Sequence, residues 1–316
     1  MTLEKSFPAM GTLHTITLFD AEGPGAANDA RAYMMDLNRA WSCFRADSLI
    51  SRINQAAGQG PVPVDRDTLE VLRLARTYGQ LTGGAFDVTI GPLADLWRKA
   101  ISEKRLPTDE DVWHALELVN GQDIVLDEGT SSAMLRQTGQ RIDLGGIAKG
   151  YAVDGLRHRL RDRGVRRALL DLGGTVATMG CRLPVGIRDP FRPDGAPMGT
   201  LMVEDRCVVT SGVYERFVYL DGHRYHHIVD PRTGYPARSG LVSVTLVGEN
   251  GTALDALATA ALILRPEKAM PLLTAQIMDA IFVTDQGQVL LTRGLKNEFR
   301  LLNKQNNARG AQVCVA

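Results

Sequence analysis

Neither sign of charge is in excess in this 316-residue sequence: Lys+Arg and Asp+Glu number 36 each. Without a net field, nothing draws the whole chain onto nucleic acid or an anionic membrane. The densest basic stretch, Arg157 to Arg167, is threaded with Asp162, Leu156, Leu160 and Val165, which is the composition of an exposed amphipathic helix and its exit. Long apolar runs are also missing. No segment nears the roughly 18 apolar residues of a membrane span, and the opening MTLEKSFPAMGTLHTITLF lacks a signal-peptide core. As it stands the sequence reads as cytoplasmic, with the periplasm the alternative if a leader has been trimmed. Cys43, Cys181, Cys207 and Cys314 form no C-x-x-C pair, which disfavours a zinc ribbon or a thioredoxin-like motif and leaves free thiols. G-x-G-x-x-G after a first strand and G-x-x-x-x-G-K-[ST] are both absent, so a nucleotide would have to be held by other means.

The composition, 44% hydrophobic and 23% charged, is that of a folded globular protein. TLHTITLF at 12–19 alternates like a half-buried strand, and helical spacing follows at Ala27–Ala40 and Asp67–Leu81. Short strands are expected at Asp123–Leu126, Ala133–Arg136, Arg141–Asp143, Ala168–Leu172 and Leu183–Ile187, with a helix at about Gly146–Arg163. Further strands at Met198–Val203, Cys207–Ser211, Phe217–Leu220, Val242–Val247, Ala280–Thr284 and Val289–Leu291 surround an Ala-rich helix at Thr252–Leu264. This irregular mixture predicts an α+β fold with mixed or antiparallel sheets and packed helices. With no Pro/Ser-rich linker in sight, one domain over 1–302 and a polar tail over 303–316 are expected.

Three segments carry chemistry. RIDLGGIAKGYAVD, 141–154, is a strand ending in Asp143, two glycines that permit close backbone approach, and a helix start bearing Lys149. It suits either a phosphate or a tight turn with a surface lysine. Asp-Leu-Gly-Gly recurs at 171–174, which reads as repeated turn chemistry. In TALDALAT, 252–259, Asp255 and Thr259 lie four apart on one helical face. Those oxygens, with a carbonyl such as that of Ala258 or Gly146, suit a hard cation such as Mg²⁺. Thr252-x-x-Asp255 equally suits a helix start. RYHHIVDPRTGYP, 224–236, gathers His226, His227 and Asp230; a base can sit here, or the two histidines can simply face opposite sides of an extended segment. AMGT (9–12), WSCFRADS (41–48) and GAFDVTIGP (84–92) look like ligand walls in which Met10 and Phe44 can sandwich a planar ring, although such residues also build ordinary cores.

Taken in order, AMGT, DSLISRIN (47–54), GAFDVTIGPL (84–93), DLGGIAKGYAVD (143–154), LLDLGGTVATMG (169–180), TSGVYER (210–216), YHHIVDPRTG (225–234) and DALATA (255–260) resemble the ApbE family of FAD:protein FMN transferases. The resemblance implies FAD contacts from Met10, Phe44, Ala85, Phe86, Asp87, Asp143, Lys149 and Ile228. It implies Mg²⁺ on the Gly146 and Ala258 carbonyls, Asp255 and Thr259. The implied reaction moves FMN from FAD to a threonine of a partner protein with release of AMP, so the flavin is a substrate. His227 is then expected to orient the threonine or accept its proton, with a nearby carboxylate the alternative base and Asp255 holding the metal. Phe44 stands where many relatives have tyrosine. The same residues are compatible with an FAD pyrophosphatase that gives FMN and AMP, or with a non-catalytic FAD carrier, and they leave the oligomeric state open.

Overall fold

The computed structural model describes residues 2–20, 25–192, 195–302 and 313–315. The chain opens with a hairpin of β1 (Leu3–Ala9) and β2 (Thr12–Leu18), then α1 (Gly25–Trp41), α2 (Leu49–Gln55), β3 (Val62–Pro63), α3 (Arg66–Leu81), α4 (Gly91–Glu103), α5 (Asp109–Leu116), β4 (Ile124–Asp127) and β5 (Ser132–Leu135). Next come α6 (Ala148–Asp162), β6 (Ala168–Asp171), β7 (Thr175–Met179), β8 (Arg182–Ile187), β9 (Gly199–Glu204), β10 (Cys207–Gly212), β11 (Phe217–Leu220) and β12 (His223–His226). The rest is β13 (Leu241–Gly248), α7 (Gly251–Leu264), α8 (Pro266–Ala275), β14 (Asp279–Thr284), β15 (Val289–Leu291), β16 (Phe299–Leu301) and β17 (Val313–Val315). This is the α+β class that the sequence predicts. No helix among the described residues is long and apolar enough to cross a membrane.

Two compact units are interleaved along the chain: Met1–Met35, Lys149–Tyr214 and Ser239–Ala316 form one, Asp36–Ala148 and Glu215–Arg238 the other. Neither is contiguous and no linker composition marks the crossings, which is why the sequence reads as one domain. Residues 303–312 and 316 of the expected tail lie outside the described residues; 313–315 pair in parallel with β15.

The first unit is built on a nine-stranded sheet in the order β1-β2-β6-β7-β10-β13-β14-β15-β17, antiparallel except for its last pair. β13 is buried at every position, as a strand covered on both faces must be, and its sequence LVSVTLVG is correspondingly an almost continuous apolar run. α7 lies against β10 and β13. Its own sequence, GTALDALATAALIL, is almost entirely apolar or small, and every residue but Thr259 and Leu264 is buried. α6 meets it where two glycines coincide: a Cβ on Gly150 would sit 2.6 Å from the Asp255 Cβ and closer still to the Gly251 carbonyl oxygen, and one on Gly251 would sit 2.5 Å from Val153 Cγ1.

The second unit holds the small sheet β3-β5-β4 and the hairpin β11-β12. Its apolar centre gathers Leu93, Trp97, Ala100, Val112 and Val229. Trp97 fixes α4 from inside, donating from Nε1 to the Gly234 carbonyl at 2.7 Å and stacking on Tyr225. The strand expected at Arg141–Asp143 does not form. Arg141 makes only an isolated bridge to Ile90, while the Asn54 side chain accepts from the Ile142 N–H at 2.7 Å and donates to its carbonyl at 3.1 Å. The other edge meets backbone, the Arg141 carbonyl accepting from the Gly91 N–H at 3.1 Å and the Asp143 N–H donating to the Val88 carbonyl at 2.8 Å, so the segment is satisfied by one short bridge and a distant side chain without a ladder.

The helix crossing generates a test. Gly150→Ala adds one methyl where a backbone oxygen already lies, and we expect a loss of about 3 kcal/mol, measured as a shift in the urea-unfolding midpoint.

Candidate active site

At the crossing of α6 and α7, each helix caps the other. Asp154 of α6 accepts from the Gly251 N–H (2.9 Å), the Thr252 N–H (2.8 Å) and the Thr252 hydroxyl (2.7 Å) at the start of α7. Asn250, the N-cap, takes the Ala253 N–H at 2.9 Å. The first turn of α7 is therefore satisfied without Asp255, and the helix-start explanation of Thr252-x-x-Asp255 falls away. Asp255 instead faces α6, accepting from the Gly150 N–H at 2.9 Å and from the Lys149 N–H. Burial pushes the carboxyl of Asp255 up from its ordinary range, opposed by the Lys149 charge and by those two N–H groups. Burial likewise raises Asp154, against its hydrogen bonds to α7.

One turn beyond Asp255, Thr259 is the only residue from Gly251 to Ile263 that is not fully buried. Its hydroxyl lies 3.2 Å from that of Ser211 on β10. This corner therefore presents a carboxylate and two hydroxyls beside a lysine and a helix N-terminus. No cluster of three His, Cys, Asp or Glu side chains occurs among the described residues, so a nitrogen- or sulfur-rich metal site is not what this chemistry offers. One carboxylate plus neutral oxygens fits a hard cation that shares its shell with water or phosphate.

Met10 tops the β1-β2 hairpin in the left-handed region (φ 46°), followed by Gly11 (φ 80°), giving a two-residue turn between the paired Ala9 and Thr12. A methionine there costs roughly 1 kcal/mol that asparagine or glycine would avoid. The second Asp-Leu-Gly-Gly packs alongside: a Cβ on Gly173 would collide with Thr12. Asp171 accepts from the Gly173 N–H (2.9 Å) just as Asp143 accepts from the Gly145 N–H (2.8 Å). The repeat is thus shared turn chemistry with different exits, a hairpin after 171–174 and the helix α6 after 143–146, whose turn includes Gly146.

Within the second unit, Asp143 faces Arg98 Nη2 at 3.5 Å, and the same guanidinium lies 4.9 Å from the Phe44 ring centroid. Ala85 and Phe86 are buried in the core, which leaves their backbone as the part able to meet a ligand. The Asp87 carboxylate is occupied by the Thr89 N–H (2.8 Å) and hydroxyl (2.6 Å) and by the Gly121 N–H (2.8 Å), so it shapes the loop around it.

The two histidines separate cleanly. His226 is buried; Nε2–H donates to the Ala237 carbonyl at 3.1 Å and Nδ1 accepts from the Ile228 N–H at 3.3 Å. Both nitrogens are committed, and burial lowers its pKa to about 4. His227 is half-buried, with Nδ1 3.3 Å from the Arg216 carbonyl. A carbonyl only accepts, so the neutral ring carries its proton on Nδ1 and its lone pair on Nε2. Ile228 is buried beside them.

Arg98 and Ser211 escaped the sequence reading as site residues. Leu93, Leu96, Trp97 and Ala100 do recur at helical spacing and would have revealed α4, hence the placement of Arg98. Ser211 carries no local signal, because its partner Thr259 lies 48 residues on.

A helix N-terminus, a lysine and neutral oxygens around one carboxylate have the chemistry to take an anion beside a hard cation. Comparison with known proteins identifies the family. The sequence model of the ApbE family matches residues 10–282. The chain is 39% identical over 260 residues to the FAD:protein FMN transferase of Klebsiella pneumoniae (strain 342), covering 82% of each chain. It is 33% identical to that of Treponema pallidum (strain Nichols), covering 93% of this chain and 88% of the other. Among solved structures, the ApbE protein of Thermotoga maritima superposes with a TM-score of 0.83 at 31% identity, covering 92% of this chain and 96% of that one. The flavin transferase ApbE of Vibrio cholerae gives 0.79 at 28%, covering 91% and 95%. This chain belongs to the ApbE family.

Buried histidines make stability depend on pH. Burial also lowers His14, whose two ring nitrogens have no hydrogen-bond partner, to about 4, with Lys149 adding to the shift. Both His14 and His226 start from 6.5, so between these values the unfolded chain binds more protons than the folded one. Their contribution is complete above pH 6.5 and is lost as pH falls to about 4, on the order of 3 kcal/mol for each ring. Urea midpoints measured on a pH series should fall through this window, and His14→Leu should shallow the fall.

Proposed function

We propose that this chain is an FAD:protein FMN transferase that uses Mg²⁺ and a threonine acceptor. Family membership supports the transferase class. The observation that carries the finer reading is Asp255, a buried carboxylate held against the α6 N-terminus beside Lys149, with the Thr259 hydroxyl one turn away. In this reading Met10, Phe44, the backbone of Ala85 and Phe86, Asp143, Lys149 and Ile228 receive FAD, and Asp87 holds the loop that follows Phe86. Asp255, Thr259 and the carbonyls of Gly146 and Ala258 would hold Mg²⁺, whose charge offsets the negative charge growing on the pyrophosphate bridge.

The reaction follows from these assignments. The acceptor threonine Oγ forms a bond to the FMN-side phosphorus, and the bond from that phosphorus to the bridging oxygen breaks. AMP leaves with the electron pair. His227 Nε2 accepts the threonine proton, while its Nδ1–H stays on the Arg216 carbonyl and keeps the ring oriented. Lys149 and the positive end of the α6 dipole give the pyrophosphate a fixed positive environment. Positioning and electrostatics supply most of the acceleration, as is usual for phosphoryl-type transfer.

The direct test incubates the protein with FAD, Mg²⁺ and a small acceptor bearing an exposed Asp-x-x-Thr segment, and follows the intact mass of the acceptor and the release of AMP. FMN addition with matching AMP is expected. AMP without acceptor modification would instead identify a pyrophosphatase, and tight FAD retention with neither product a carrier.

Two substitutions separate the roles. Asp255→Asn should abolish Mg²⁺-dependent transfer while leaving the fold cooperative by thermal melting. His227→Ala should lower kcat by about 10²–10³-fold with little change in FAD affinity, read from flavin fluorescence.

A further inference from the structure

α4 begins at Gly91-Pro92, with proline in the first turn, where its missing N–H costs nothing. Trp97 locks the helix from the buried side, so the next residue, Arg98, projects outward from a rigid support. Its guanidinium meets three groups. Nη1 bonds Asp95, Nη2 lies 3.5 Å from Asp143 Oδ2, and Cζ sits 4.9 Å from the centroid of the Phe44 ring. Asp95 is held in turn by Arg141, with Nε to Oδ2 at 3.0 Å. The result is a row of alternating charge, Asp143, Arg98, Asp95 and Arg141, with an aromatic ring laid against its second member.

Phe44 is 74% exposed. A phenylalanine has no polar atom with which to fix its ring, and one so exposed receives little packing from the core. The cation against its face is what selects an orientation. A guanidinium covers one face of a ring and leaves the other available to a planar partner, and Arg suits this better than Lys because its own plane stacks. Asp143 is held from two sides, by Arg98 at Oδ2 and by the Gly145 N–H at Oδ1.

We infer that Arg98 is a positioning residue for FAD, setting the Phe44 ring for stacking and the Asp143 carboxylate for hydrogen bonding through one guanidinium. This rests on the transferase reading above. It explains how Phe44 serves without a hydroxyl: the orientation that a phenol would gain from a hydrogen bond comes from a cation on its face.

The test compares wild type with Arg98→Ala, Arg98→Lys, Phe44→Ala, the Arg98→Ala/Phe44→Ala double variant and Asp95→Asn. FAD affinity is read by flavin fluorescence, and KM and kcat by AMP release in the presence of acceptor, with thermal melts as the control for folding. Arg98→Ala should raise KM and Kd for FAD about fivefold with kcat changed less than about twofold. Arg98→Lys should recover part of the loss. The double variant should be little worse than the poorer single variant, because the two residues act as one unit. Asp95→Asn keeps an amide oxygen that can accept from Arg98 Nη1, so FAD affinity should fall less than in Arg98→Ala. Unchanged affinity in Arg98→Ala, full additivity with Phe44→Ala, or an equal loss in Asp95→Asn would overturn the proposal, the last by making the charge row a purely structural brace. Failure of the transferase reading looks different: wild type itself would then neither quench flavin fluorescence nor release AMP.

Discussion

The close approach of α6 and α7 is the constraint on which the first unit depends. Two glycines, Gly150 and Gly251, remove the side chains that would hold the helices apart. At that separation each helix places a carboxylate on the other's N-terminal N–H groups, Asp154 onto α7 and Asp255 onto α6. Burying two carboxylates is costly, and burial raises both. Oriented N–H dipoles offset part of that cost. Asp154 receives three hydrogen bonds and is a brace. Asp255 receives fewer, has the Lys149 charge beside it, and lies on the helical face that ends at Thr259.

In the second unit rigidity comes from Trp97, which ties α4 to the loop carrying Gly234. That anchor holds in place the polar residues α4 carries, Asp95 and Arg98 among them. The adjacent histidines show how surroundings divide identical side chains. His226 spends both nitrogens on the backbone, whereas His227, one residue on, is half-exposed with Nδ1 against the Arg216 carbonyl. A pair of neighbours in an extended segment must face opposite sides, and here one side is core and the other carries the candidate base.

Much of this was legible beforehand. The helix at 252–264 is so uniformly apolar that it could only be buried, and the polar pair it carries, Asp255 and Thr259, stood out against that background. The helix at 148–162 and most strands followed from periodicity, and the repeated Asp-Leu-Gly-Gly was legible as turn chemistry because an aspartate accepting from the N–H two residues on is a local event. The missing strand at 141–143 was not legible, since Asn54 takes both hydrogen bonds of Ile142 from 88 residues away, where a second strand would pair.

The sequence by itself determined what depends on near neighbours: the α+β class, the helical phase that puts Asp255 and Thr259 on one face, and the ordered motifs that mark the ApbE family. Only the tertiary structure decided that Asp154 caps α7 while Asp255 turns to α6, which histidine spends both nitrogens on the backbone, and that Arg98 joins Phe44 to Asp143. Those outcomes turn on burial and on hydrogen bonds between residues tens of positions apart, and such contacts leave no periodic trace in the chain because long-range pairing constrains positions in space and not spacing in sequence.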